Sequence, residues 1–199
     1  RYDIDVTKRL GFNMARKHVK VEPDRWYMWA DRLGLLVWQD MPSTSLRGTR
    51  PPESAQQFEV ELREMIDEHR NHPSIVMWVP FNEGWGQFDS VKAAKFFREK
   101  DPTRVIDHAS GWHDQGAGDV NSFHIYFTPF LFPKYNKDDE RPIALTEFGG
   151  YSMQLKDHCF NKDKFFGYRK YFKQESFDNA IKNLYEKRIY NCMKNKGLS

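Results

Sequence analysis

At 199 residues, with 16% aromatic and 30% charged side chains, the chain can bury the core of one domain and is too apolar for a disordered segment. Its net charge of +3 comes from interspersed charges of both signs, which argues against a nucleic-acid partner. No apolar run approaches the length of a membrane span, so no membrane partner is expected.

Residues 1–10 read as a helix closed by Gly11, and residues 12–19 as a strand. Pro23 opens a helix through Leu33 with Trp26, Trp29, Ala30 and Leu33 on one face, and both tryptophans are expected in the core. Gly34 ends that helix, and residues 35–38 form a strand delivering Gln39 and Asp40. Residues 43–52 read as a loop. Phe58, Leu62, Met65, Ile66 and His69 then give helical spacing over 52–69.

The apolar run Ile75 to Val79 reads as a strand buried on both faces, followed by Asn82 and Glu83 and a break at Gly84 and Gly86. A helix around Val91, Ala94 and Arg98 stops at Asp101-Pro102. Short strands are expected at 105–106, at 120–126 and at 143–146, the last leading into Glu147. Residues 129–141 and 151–174 read as loops, and Phe177 to Met193 as one apolar helix face closed by Gly197.

Six strands alternating with amphipathic helices imply parallel pairing and right-handed crossovers. An open doubly wound sheet would want a phosphate-binding glycine loop, and Gly116-Ala-Gly118 is too weak for one. A (β/α)8 TIM barrel fits better, because polar residues follow nearly every strand: Arg16 and His18, Gln39 and Asp40, Asn82 and Glu83, Asp107 and His108, His124 and Tyr126, and Glu147. The expected α/β fold is such a barrel, incomplete, lacking the first and last of eight strands, with residues 1–199 as a single partial domain.

A carboxylate at the C-terminal end of a buried parallel strand sits where barrel enzymes keep their chemistry. Glu83 and Glu147 both stand there, about three barrel units apart. Across a barrel mouth such a pair can approach about 5–5.5 Å, the spacing of a retaining glycosidase. One carboxylate would attack the anomeric carbon. The other would protonate the departing oxygen and then activate water. A glutamate after a strand also serves as a helix N-cap or an ion-pair partner, and pattern alone leaves that alternative open.

The run Arg70-Asn-His-Pro-Ser-Ile-Val-Met-Trp-Val-Pro-Phe-Asn-Glu83 resembles the acid/base signature of glycoside hydrolase family 2, which contains β-galactosidases, β-glucuronidases and β-mannosidases. Ile143-Ala-Leu-Thr-Glu-Phe-Gly-Gly150 is similar to the family's nucleophile strand, Asn13 to His18 to its second barrel strand, residues 35–42 to its third and residues 118–126 to its sixth. The resemblance implies a β-galactosidase-like retaining β-glycosidase with Glu83 as acid/base and Glu147 as nucleophile. It implies that Asn82 bonds the sugar 2-hydroxyl and that Tyr126 and Arg16 support Glu147. Asp40, His18, His124 and Trp112 are further candidates for sugar hydroxyls or ring stacking. Val79 stands where the family usually has Gly or Ser, and Arg16-Lys-His18 departs from the usual Arg-x-x-His spacing. The magnesium ligands of the best-known β-galactosidases have no clear match, so no metal or cofactor is expected. The implied partners are a β-glycoside substrate, upstream β-sandwich domains of a parent chain, and a second copy through exposed sheet edges.

The alternative from another class is a non-catalytic carbohydrate-binding or scaffolding fragment of such an enzyme. A metal-dependent hydrolase is a weaker reading, because His69 and His72 have no third ligand nearby in sequence. Trp78 reads as core or subsite floor, while Trp85 and Trp112, in loops beside the site, read as sugar-stacking. Cys159 and Cys192 lack metal-ligand spacing and are expected as free buried thiols. The chain opens on Arg1 without a visible leader, so it is expected to be a processed product or an excised piece, with export favoured for the parent enzyme.

Overall fold

Each of the six expected strands forms in the computed structural model, which describes residues 1–43, 50–127, 138–159 and 161–196. The described chain divides into two compact units, Arg1–Ser122 and Phe123–Ser199.

In the first unit, β1 (Met14–Lys17), β2 (Leu36–Asp40), β3 (Ile75–Val79) and β4 (Val105–Ile106) make one parallel sheet in sequential order. The helix α1 (Tyr2–Arg9) precedes it, and α2 (Asp24–Leu33), α3 (Pro52–His69) and α4 (Ser90–Lys100) are its connections. Proline at the first position of α3 costs no intrahelical bond, and Gly34 takes the left-handed conformation that caps α2. On α3 the buried positions are Phe58, Leu62, Met65, Ile66 and His69, the stripe expected from their spacing. Phe58, Leu62, Met65 and Ile66 pack in one core with Val37, Ile75, Trp78, Phe81 and Phe97.

The α2 expectation needs a correction. Tyr27 and Ala30 are the buried residues of this helix, whereas Trp26 and Trp29 are half-buried and pack at the margin. Tyr27 can go inside because its hydroxyl has partners: it donates to Gln39 Oε1 at 2.5 Å and accepts the Glu22 N–H at 3.1 Å.

Trp78 is wholly buried and so belongs to the core rather than to a subsite floor. Its indole N–H donates to Asp101 Oδ2 at 3.0 Å. Asp101 also accepts the Thr103 hydroxyl and N–H and pairs with Arg104. Arg104 in turn donates to the carbonyls of Ile75, Arg70 and His72, which fixes the entry to β3. Burial pushes the Asp101 carboxyl up, but its bonds from Thr103, Trp78 and Arg104 outweigh that and hold it below the ordinary carboxylate range.

The strand β5 (Asn121–Ile125) pairs with β6 (Ile143–Phe148). Residues 151–174 are not all loop: β7 (Tyr151–Met153) and β8 (Arg169–Tyr171) form a parallel two-stranded sheet. These strands are three residues each, too short for an alternation to register in sequence. The last helix runs as α5 (Gln174–Leu184), a π turn (Tyr185–Ile189) and α6 (Tyr190–Lys196). Leu184 and Cys192 pack with Ile125, Ile143, Leu145 and Phe148. Both cysteines are free, and Cys159 is only half-buried, contrary to expectation. Much of the loops expected at 43–52 and 129–141, and the closing Gly197, lie outside the described residues.

Replacing Asp101 strands the buried Trp78 N–H and takes from Arg104 its carboxylate partner. We predict that Asp101→Ala lowers unfolding stability by roughly 3 kcal/mol in urea denaturation at pH 7. A loss within about 0.5 kcal/mol, the range of an ordinary surface change, would contradict this account of the β3 entry.

Candidate active site

Arg16, near the end of β1, faces Asp40, the last residue of β2. Its Nε donates to Asp40 Oδ1 at 3.0 Å and its Nη2 to Oδ2 at 2.8 Å. The same Nη2 reaches Asn82 Oδ1 at 2.9 Å, so one guanidinium gathers the ends of β1 and β2 and the segment after β3. Asp40 is 1% exposed and also accepts the Val19 N–H. Burial pushes its carboxyl above the ordinary range, with Arg16, the Val19 N–H and the charge of His18 pulling the other way. Asp40 therefore holds Arg16 in place more directly than it presents oxygens to solvent.

With Asn82 Oδ1 accepting from Arg16, the amide orientation is set. Its buried Nδ2 has no hydrogen-bond partner, an orphan donor that costs about 1–3 kcal/mol if left so. The backbone past β3 is held by the segment past β4. Asn82 bridges Ser110 in parallel fashion, and the Glu83 N–H donates to the Ser110 carbonyl at 3.0 Å.

Glu83 itself sits at φ 50°, followed by Gly84 at φ 75°. A non-glycine residue in the left-handed region stores about 1–3 kcal/mol, strain that is concentrated at functional sites. Gly84 is required in its place: a Cβ there would lie 2.5 Å from the His113 ring. The turn leaves the Glu83 side chain half-buried and brings Trp85, 37% exposed, edge-on to the exposed His18 at 5.9 Å between ring centroids. Trp112 is 44% exposed.

Beneath this rim lies a group to which the sequence reading gave no role. Asp107, fully enclosed, accepts the Ser122 hydroxyl at 2.9 Å, and Ser122 accepts the Gly111 N–H. Burial pushes the Asp107 carboxyl up to about 6, against the pull of Ser122, Ser110 and the Arg16 charge. Its position after a strand was legible; its burial was not, because two-residue β4 carries too little pattern.

The second unit gathers Tyr126, His124 and Glu147. The Tyr126 hydroxyl donates to Glu147 Oε2 at 2.6 Å. His124 Nε2 lies 3.6 Å from Glu147 Oε1, and its Nδ1 lies 3.3 Å from the Tyr126 hydroxyl. The His124 side chain is fully enclosed and that of Glu147 about a quarter exposed, so the carboxylate is the accessible member. Tyr168 stacks on Tyr126 with centroids 3.8 Å apart and planes 12° from parallel. Tyr168 follows Tyr126 by some forty residues in a segment read as loop, so nothing in the sequence signalled it.

Chemically, the second unit offers an accessible carboxylate braced by a phenol. The first offers a carboxylate on a strained turn beside an oriented amide.

Comparison with known proteins gives the family. Residues 1–189 match the TIM barrel domain of glycosyl hydrolases family 2. A β-galactosidase of Priestia megaterium is 27% identical over 181 residues, covering 82% of this chain and 17% of that protein. β-Galactosidase 2 of Enterobacter cloacae is 27% identical over 168 residues, covering 74% of this chain and 16% of its own length. The chain thus spans only about a sixth of these curated relatives. Among solved structures, a family 2 β-galacturonidase of Eisenbergiella tayi bound to galacturonate is 25% identical with a TM-score of 0.62, over 75% of this chain and 31% of that one. A β-glucuronidase of an uncultured Clostridium sp. shares the fold, with a TM-score of 0.67 at 18% identity over 90% of this chain and 36% of that one.

The raised Asp107 pKa has a definite consequence for stability. A carboxyl that binds its proton more tightly when folded stabilises the fold below its unfolded pKa of 3.8, and that stabilisation is lost as pH rises through about 6. We predict that Asp107→Asn, which cannot ionise, gains roughly 2–3 kcal/mol relative to wild type between pH 4 and pH 7.5. The measurement is the difference in urea midpoints at the two pH values. A difference that does not change with pH would contradict the assignment.

Proposed function

The chain belongs to glycosyl hydrolase family 2, and from that premise we propose that it carries both catalytic carboxylates of a retaining β-glycosidase, as part of one catalytic barrel. Glu147 is the nucleophile and Glu83 the acid/base. The observation that carries this reading is the short Tyr126–Glu147 hydrogen bond. A phenol donating to one carboxylate oxygen fixes where the carboxylate points, and a nucleophile must be aimed at the carbon it attacks.

In the first step a Glu147 oxygen bonds to the anomeric carbon while the glycosidic C–O bond breaks. Glu83 gives its proton to the departing oxygen, leaving a glycosyl ester on Glu147. In the second step Glu83 takes a proton from water, whose oxygen displaces Glu147 from the same carbon and restores the original configuration. Asn82 donates its free Nδ2 to the sugar 2-hydroxyl, satisfying the buried donor and strengthening as charge develops at the ring. Arg16 and Asp40 position Asn82. Trp85 and Trp112 offer exposed ring faces for stacking. The substrate class is a β-glycoside cleaved at its terminal sugar. The relatives' names favour β-galactosides first and sugars with a C6 carboxylate second.

The test uses the whole gene product with aryl β-glycosides. Glu147→Gln should lower kcat by at least about a thousand-fold. Glu83→Gln should spare substrates with good leaving groups in the first step and recover turnover with azide, giving a β-glycosyl azide. Tyr126→Phe should lower kcat about 10–100-fold with little change in KM, the worth of one hydrogen bond to a charged group. Unchanged activity in Glu147→Gln would remove that residue from the reaction.

A further inference from the structure

The other end of the first unit's sheet holds a cluster that the glycosidase reading does not use. His69 is the last residue of α3 and occupies the apolar stripe of that helix, with its side chain 2% exposed. Its Nδ1 is buried without a hydrogen-bond partner. A lone apolar-stripe histidine would normally satisfy both nitrogens, because an orphaned buried nitrogen is costly. Here the nearest candidate is not a hydrogen-bond acceptor in range but a carboxylate at 3.9 Å, Asp24 Oδ1, on the first turn of α2.

His72 stands three residues beyond His69. One donor atom from each of Asp24, His69 and His72 falls within 4.8 Å of the others. The third candidate ligand, absent nearby in sequence, is met in space. Asp24 is remote in sequence and is delivered by the packing of α2 on the end of α3.

We propose that Asp24, His69 and His72 bind a divalent cation of the zinc class, tying the start of α2 to the end of α3. Several observations beyond proximity support the site. The His72 Nδ1 lies 2.7 Å from Asp31 Oδ2, and Asp31 Oδ1 accepts the Ser74 N–H at 2.9 Å. A carboxylate fixed in this way accepts a hydrogen bond from the imidazole Nδ1–H and leaves the lone pair on Nε2, the arrangement that orients metal-binding histidines. Tyr27 lies tilted against both rings, 4.5 Å from His69 and 5.3 Å from His72, and restrains their planes. Its hydroxyl is engaged by Gln39 and does not compete for the ion.

Donors bound at about 2.0–2.1 Å in a tetrahedral site stand about 3.3 Å apart, so donors that lie within 4.8 Å of one another, with Asp24 Oδ1 3.9 Å from His69 Nδ1, must draw in around the ion. Asp24 is exposed and free to do so, and it gives the ion a path from solvent. Two imidazoles and one carboxylate suit zinc, cobalt or nickel better than magnesium or calcium, which prefer oxygen alone. His72 precedes β3 while Glu83 follows it, so the ion would brace the scaffold rather than take part in the chemistry. The inference does not rest on the glycosidase reading.

The test is calorimetric titration of chelator-treated protein with zinc chloride, with magnesium chloride in parallel. Wild type should bind one zinc ion saturably and its Tm should rise with zinc, because an ion that binds only the folded state stabilises it by mass action. Asp24→Ala, at an exposed position, should weaken zinc at least about ten-fold and abolish most of the Tm rise. Asp31→Asn should weaken zinc about 10–100-fold through His72 alone. Absence of saturable zinc binding below about 1 mM would overturn the proposal, as would unchanged affinity in both variants or equal affinity for magnesium.

Discussion

The Arg16 guanidinium is the contact on which the rest of the first unit's rim depends. It bridges a wholly buried carboxylate, Asp40, and a buried amide, Asn82, from three successive segments of the sheet. Burying such a pair is expensive, and the pair is tolerable only because the fork satisfies both Asp40 oxygens and the Val19 N–H adds a third bond. The arrangement orders Asn82, and through the backbone it orders the turn that carries Glu83. Strand packing alone would place these residues at one rim without fixing an amide's orientation or a carboxylate's angle.

The two glutamates are prepared differently. Glu83 stands on a left-handed backbone that is strained for its residue type and made passable by Gly84. Glu147 lies within a regular strand, and its carboxylate is set by side chains: Tyr126 donates to it, His124 lies beside it, and Tyr168 stacks beneath Tyr126. A group that shuttles a proton in two steps gains from placement on a turn, where its reach can adjust. A group that attacks one carbon gains from a rigid strand and a fixed hydrogen bond. The division of roles proposed above follows the division of supports.

Much of this was legible in the residues. The strand at 75–79 and the helix at 52–69 could be read to their ends, because an unbroken apolar run and a five-member stripe each bury enough surface to dictate their own structure. Asn82, Glu83 and Glu147 stood out because polar residues directly after such runs are rare. What could not be read depended on contacts between remote segments. Tyr27, not its tryptophan neighbours, went inside because Gln39 on another strand accepts its hydroxyl. Tyr168 became a partner of Tyr126 through a two-strand sheet of three-residue strands, and Asp24 met His69 through helix packing. Asp40 was expected among sugar ligands, yet its near-complete burial under Arg16 gives it a positioning task.

The central claim is that Glu147 forms a bond to the sugar. The most direct measurement is incubation of the active whole gene product with a 2-deoxy-2-fluoro-β-galactoside bearing a good leaving group, followed by proteolysis and mass spectrometry. The fluorine slows release of the ester more than its formation, so the intermediate accumulates. The account predicts time-dependent inactivation with one added fluorosugar on the peptide containing residues 143–150, fragmenting to Glu147. A label on Glu83 or any other residue, or products of inverted configuration from an enzyme that never acquires a label, would contradict it.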